Sequence, residues 1–158
     1  MVDIGDAYYP SSLDDNQFTV PKGRYTAVIT DLSISEDVSF GKYIADVFKP
    51  VYLIDKDSHP QYEGCSVTDN GIFRYKKVGD ALYDHSKNWG FAKYLSLMGL
   101  RKKDGEGGQL PFLYLNDIKG AVVLIDVFMK EFMNDLDSEI RYSVARTIQL
   151  IKEPSVPF

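Results

Sequence analysis

Residues 120–132, GAVVLIDVFMKEF, carry the clearest periodic pattern in the chain. Apolar side chains recur at every second position, at Val123, Ile125, Val127 and Met129, which is the spacing of one face of a β-strand. We therefore predict a strand over these residues, with the four apolar side chains in a core.

Four further segments around this stretch combine β-branched and aromatic residues between turn-forming residues, which is typical of strands. They are residues 24–34, 42–54, 65–77 and 140–151. Pro50 has no N–H to donate, so we expect it at an edge or a bulge. Gly71 predicts a bulge within the third segment. In the last segment we expect five apolar or aromatic side chains in the core: Ile140, Tyr142, Val144, Ile148 and Leu150. The polar face then carries Arg141, Ser143, Ala145 and Thr147. Arg146 falls among the core positions, and we expect it to form an ion pair.

A helix is predicted between the third and fourth strands, within residues 86–98. Its apolar residues Phe91, Tyr94, Leu95 and Met98 follow the i, i+3, i+4, i+7 spacing of one helix face. Gly99 stands where a left-handed C-terminal cap belongs. The order of three strands, one helix and two strands is that of an OB-fold. A sandwich with one crossing helix would show a similar order.

The composition of the 158-residue chain is that of one globular domain. We assign residues 1–19 to an acidic N-terminal arm, 20–152 to the OB-fold domain and 153–158 to a C-terminal tail. The fold class is thus mainly β, a five-stranded Greek-key barrel with one helix and an N-terminal arm. Because the chain has one cysteine, no apolar run of 18 residues and no basic residue in its first 15, we expect a soluble cytoplasmic protein without a membrane span, in the host cytoplasm if it is viral.

The charge is distributed unevenly. The net charge is −5, but residues 22–103 contain 13 basic and 10 acidic residues, whereas residues 1–15 contain four acidic residues and no basic one. An acidic balance by itself argues against a nucleic-acid partner. Because the middle of the chain has an excess of basic residues, a nucleic-acid partner is still compatible with the charge distribution.

Four short motifs follow one another in the chain. They are Pro21, Gly23 and Tyr25; Gly41-Lys42-Tyr43; Tyr62-Glu63-Gly64; and the helix end from Leu95 to Leu100. In this order the motifs resemble a family of OB-fold proteins from bacteriophage replication and recombination modules, over about residues 20–152. Members of that family are regarded as single-stranded DNA-binding proteins.

Binding sites for single strands combine basic side chains, which contact phosphates, with aromatic rings, on which bases stack. We expect phosphate contacts from Lys42, Arg74, Lys76, Lys77, Lys130 and Arg141, and base stacking on Phe48, Phe73, Tyr75, Phe128 and Phe132. Two alternatives remain open. Phe73 and Tyr75 could point into the barrel, and Phe128 and Phe132 could lie under a loop, the arm or a second subunit.

No motif for catalysis is found, so we predict that the protein is not an enzyme and needs neither a cofactor nor a metal. His59 and His85 have no partner at a zinc-ligand spacing, and residues 134–140 lack the glycine and the closing glutamate of a calcium loop. The alternative function is a structural or interaction module, such as a virion or assembly protein, that uses the same outward aromatic residues. Self-association and docking of replication or recombination proteins on the C-terminal Phe158 are further partner hypotheses.

Overall fold

Strands make up most of the regular structure in this computed structural model. It describes residues 20–41, 43–77, 88–100, 111–133 and 139–154, with the backbone alone for residues 77, 131–133 and 139–141. The elements are β1 (Gly23–Phe40), β2 (Tyr43–Ile54), a 3-10 turn (Pro60–Tyr62), β3 (Ser66–Asp69), β4 (Ile72–Lys77), α1 (Trp89–Leu97), α2 (Leu115–Ile118), β5 (Val122–Met133) and β6 (Glu139–Lys152).

Five of the strands close into a ring. β1 pairs with β2, β2 with β3, β6 with β5 and β5 with β1, all antiparallel, while β3 and β6 pair in parallel. The remaining strand, β4, lies along the first half of β2. This connectivity is that of the predicted OB-fold barrel, and the mainly β fold class is confirmed. It differs from the prediction in two ways: the third strand is divided into β3 and β4, and α2 is a second, short helix.

The division of the third strand occurs at Asn70 and Gly71. Gly71 has a φ of +122°, a backbone conformation that glycine adopts readily and other residues rarely. Pro50 of β2 lies opposite this gap, between the part of β2 that pairs with β3 and the part that pairs with β4. A register shift in β1, between Ile29 and Asp31, lies beside it. The irregularity expected near Pro50 is therefore present, whereas Gly71 lies in a break between two strands and not in the bulge that was predicted.

The β1–β2 hairpin is longer than predicted, because β1 continues through residues 35–40 instead of turning. A register shift between Ser35 and Val38 accommodates Asp37, which has a φ of 54°. The Asp37 N–H donates to the buried carboxylate of Asp46 at 3.2 Å. This contact ties the bulge to β2.

The barrel interior is built largely as the periodicities predict. Val123, Ile125 and Val127 are fully buried, and the helix residues Phe91, Tyr94, Leu95 and Met98 are all buried. Helix α1 ends at Gly99, whose φ of 72° is left-handed, and the Leu100 N–H returns to the Leu95 carbonyl at 2.7 Å. The predicted helix, its core face and its cap are confirmed.

Two predictions about strand faces are wrong. Met129 is 39% exposed, so the core face of β5 ends at Val127. In β6, Val144 is buried as expected, but Tyr142 is exposed and Ala145, assigned to the polar face, is fully buried. Small side chains fit the inner face here because large aromatic rings from other elements already fill the barrel. Arg146 does pair with Asp126, at 3.6 Å, as expected for an ion pair.

Candidate nucleic-acid interface

Four aromatic side chains share one face of the sheet formed by the β1–β2 hairpin and β4; we call this group the aromatic face. Phe73 and Tyr75 are stacked, with ring centroids 5.7 Å apart and an interplanar angle of 16°. Phe40 contacts both rings edge-on, at 5.5 and 6.2 Å, and Tyr43 contacts Tyr75 at 6.4 Å. Phe73 and Tyr75 are half-buried and Phe40 is 43% exposed. The face is therefore an aromatic surface that solvent reaches.

Two basic residues of β4, Arg74 and Lys76, lie on the opposite face. The buried Arg74 donates to the Asp46 carboxylate at 2.9 Å, and its guanidinium lies over the Phe112 ring, 5.4 Å from the centroid. Lys76 pairs with Asp37 at 2.8 Å. The prediction that Arg74 contacts phosphate is corrected, because contact would require breaking a buried ion pair. Lys76 lies on the same side and is not brought together with the aromatic face.

The expectation for Phe48 is also wrong. Its side chain is fully buried and packs against Phe91 and Phe112, with centroids at 5.6 and 5.0 Å. The face of β2 that was expected to look outward carries Asp46 and Phe48 into the interior. A ring in that position cannot stack with a base.

Helix α1 contributes Trp89, which the sequence reasoning missed. Its side chain is 70% exposed. The preceding Asn88 does not cap the helix with its side chain; instead its amide accepts from the Tyr75 N–H at 2.7 Å and donates to the Tyr75 carbonyl at 2.8 Å. This two-point contact fixes the start of the helix to β4. The sequence did indicate that Trp89 is exposed, because this only tryptophan lies outside the apolar stripe of the helix.

Trp89 and β4 together form a surface groove of about 470 Å³, which we call the first groove. The lining residues are Gly71, Ile72, Phe73, Tyr75, Trp89, Gly90 and Phe91. Three aromatic side chains that are at least partly exposed, Phe73, Tyr75 and Trp89, thus line one groove. A flat, unsaturated group that enters the groove could stack on these rings.

A second groove, of about 290 Å³, adjoins the first. Its lining residues include Phe128, Trp89 and the basic residues Lys93 and Arg146. Lys130 is exposed two residues beyond Phe128 on the same strand. Of the other predicted site residues, Lys42 lies outside the described residues, and no side chain is described for Lys77, Phe132 and Arg141.

Asp69, which also lines the second groove, forms part of a buried polar cluster. The Tyr52 hydroxyl donates to the Asp69 carboxylate and lies 2.7 Å from the Thr147 hydroxyl, while the Gly71 N–H donates to Asp69 at 2.8 Å. Burial raises the pKa of Asp69 to about 6, although these hydrogen bonds and the charge of Lys49 oppose the shift. Burial also raises the pKa of Tyr52.

Among the described residues, no group of three or more histidine, cysteine, aspartate or glutamate side chains is placed to hold a metal ion. In the part of the chain that the structure describes, no helix is long and apolar enough to cross a membrane. Comparison with protein-family models, curated proteins and solved structures finds no match for the chain.

Proposed function

We propose that the protein binds single-stranded DNA with little sequence preference and without catalysing a reaction. The resemblance in sequence motifs leads us to place this activity in phage DNA replication or recombination, in the host cytoplasm. The observation that carries the proposal is the half-exposed stack of Phe73 and Tyr75, which lines the first groove together with the exposed Trp89.

The position of this groove supports the proposal. OB-folds commonly bind oligonucleotides on the face of their second and third strands and on the loop that joins the first two. Phe73 and Tyr75 belong to the second half of the third strand, and Phe40 and Tyr43 flank the β1–β2 turn. The aromatic face thus occupies the part of the barrel where such ligands usually bind.

The chemistry of the groove is suited to bases in general. Each base that stacks on an aromatic side chain contributes about 1–3 kcal/mol, and every base has a face that can stack. Positive charge nearby comes from the exposed Lys93 of α1, which lines the adjoining second groove. Lys49 of β2 is also exposed, and by alternation it shares the face of Val47, which pairs with Phe73. Phosphate contacts of this kind carry no sequence information and make affinity depend on salt.

Fluorescence of Trp89 provides the test, because it is the only tryptophan in the chain. We expect an oligodeoxythymidylate of about 12 nucleotides, within the usual range for one OB-fold, to change the emission saturably and more strongly at low salt. Phe73→Ala should weaken binding by about 1–3 kcal/mol and leave the melting temperature close to that of the wild type.

Tyr114→Ala is the matched control. Tyr114 is an exposed aromatic residue that packs against Phe112, on the side of β4 opposite the aromatic face, so its loss should leave affinity unchanged. Equal losses for both variants would contradict the proposed site. No binding of any oligonucleotide, together with stable oligomers in sedimentation, would overturn the proposal in favour of an interaction module.

A further inference from the structure

The second groove lies where the barrel wall opens. β3 and β6 pair only through Thr68 with Val144 and through Asp69 with Ala145. The chain then turns at Gly71 into β4, which pairs with β2 and leaves β6. Helix α1 contacts both β4 and β6 beside this opening. The groove between them is therefore a consequence of the divided third strand.

The two grooves are continuous with each other. Gly71, Ile72, Trp89 and Gly90 line both of them. An extended ligand in the first groove therefore needs to pass only these shared residues to reach the second groove. Trp89 stands between the grooves with most of its side chain exposed.

The lining of the second groove includes two cations, the aromatic residues Trp89, Tyr94 and Phe128, and the buried carboxyl group of Asp69. Lys93 is exposed, and the Arg146 side chain is 70% exposed. The contact between Arg146 and Asp126, at 3.6 Å, is longer than a hydrogen bond, so it holds the guanidinium weakly. Phe128 is half-buried and lines the same groove. Cations next to a ring suit a strand that has phosphates on one side and bases on the other.

We propose that the second groove is a second subsite for the same DNA strand, where Lys93 and Arg146 contact phosphates and one base stacks on Phe128. This inference rests on the proposed function, and it extends the binding path from the aromatic face across Trp89 to β5 and β6. Short strands bind in the first groove, which holds the stacked pair of rings, and only longer strands reach the second.

The test compares oligodeoxythymidylates of about 4 and about 12 nucleotides, which span most of the range of site sizes for one OB-fold. For the longer strand, the double variant Lys93→Ala/Arg146→Ala should lower the magnitude of the log–log salt slope by about 0.7 per lost contact. Phe128→Ala should weaken its binding about 5- to 150-fold at constant slope. Binding of the shorter strand should be unchanged in all of these variants.

Two controls separate lost contacts from altered folding. Lys56→Ala removes an exposed lysine that lines a separate cavity with Leu53 and Gly64, so it should change neither slope nor affinity. Arg146→Lys keeps the charge and should retain the salt slope. Melting curves of all variants accompany the titrations.

The outcomes distinguish the two proposals. If the longer strand binds no more tightly than the shorter one, or if the double variant leaves its salt slope unchanged, the second subsite is wrong and the proposed function stands. If neither strand binds the wild-type protein, the proposed function itself fails.

Discussion

Two phenylalanines with similar sequence surroundings, Phe48 and Phe73, have opposite positions in the structure. Each lies in a strand that alternates aromatic, basic and apolar residues. Phe48 is fully buried, whereas Phe73 is half-exposed beside Tyr75. Alternation shows which residues share a face of a strand, but it does not show which face meets the interior. The inner face of β2 carries the charged residue Asp46, so from the sequence it resembles a solvent-exposed face. Asp46 can be buried because Arg74, from another strand, neutralises its charge.

The buried carboxyl of Asp69 should make folding stability depend on pH. Burial raises its pKa from 3.8 to about 6, so the folded chain binds more protons than the unfolded chain between these values. The stabilising contribution is therefore complete below about pH 4 and is lost as the pH rises through about 6. A shift of this size corresponds to about 3 kcal/mol. We expect the free energy of unfolding in urea to fall by about 2–3 kcal/mol between pH 4.5 and 7.5.

Asp69→Asn provides the comparison for this pH dependence. It keeps an oxygen that can accept from the Gly71 N–H, but it has no proton to lose. The variant should therefore show a flatter pH profile of unfolding free energy than the wild type. Parallel profiles would show that Asp69 is not the group responsible.

At the scale of elements, the break between β3 and β4 shapes both grooves. Without the turn at Gly71, β4 would continue beside β6 and close the opening beside α1. The Asp69 side chain, which accepts the Gly71 N–H, holds this turn. One glycine and one carboxylate thus determine where the third strand leaves the barrel.

Gly71→Ala should destabilise the protein by about 1–3 kcal/mol, since the φ of +122° is unfavourable for alanine. The added Cβ would also lie 3.0 Å from the Phe73 ring and displace it. We therefore expect a lower melting temperature and weaker binding of oligonucleotides.

Gly90→Ala is the matched substitution for stability. Gly90 is helical, and nothing lies within 4 Å of the position of an added Cβ. Alanine there should stabilise the protein by up to about 1 kcal/mol. A Gly71→Ala variant as stable as Gly90→Ala would show that the strand break does not depend on glycine.

At the scale of the whole molecule, the charge distribution opposes the proposed ligand. The net charge is −5, and residues 1–15 contribute −4 of it. The described chain starts at Val20, which is buried and whose carbonyl accepts from the Ser143 hydroxyl at 2.6 Å. The described part of the chain therefore begins beside β6, the strand that also carries Arg146.

Deletion of residues 1–15 should raise the affinity for single-stranded DNA, because it removes four negative charges that repel the DNA or compete with it for the basic residues. The effect should be strongest at low salt, where charges are screened least. Titrations of both chains at low and high salt measure the effect. Unchanged or lower affinity of the shortened chain at low salt would exclude this role of the arm.

The amino-acid sequence alone predicts the order of the strands, the position of α1 and its buried stripe, the core residues of β5 up to Val127 and the shared face of Phe73 and Tyr75. All of these follow from periodicities and caps within one segment of chain. Local periodicity does not predict that Phe48, Arg74 and Ala145 are buried, or that Trp89 lines a groove together with Phe73 and Tyr75. These features depend on which strands are neighbours in the ring. The neighbours are defined by contacts between residues that are far apart in the chain, so they cannot be read from one segment.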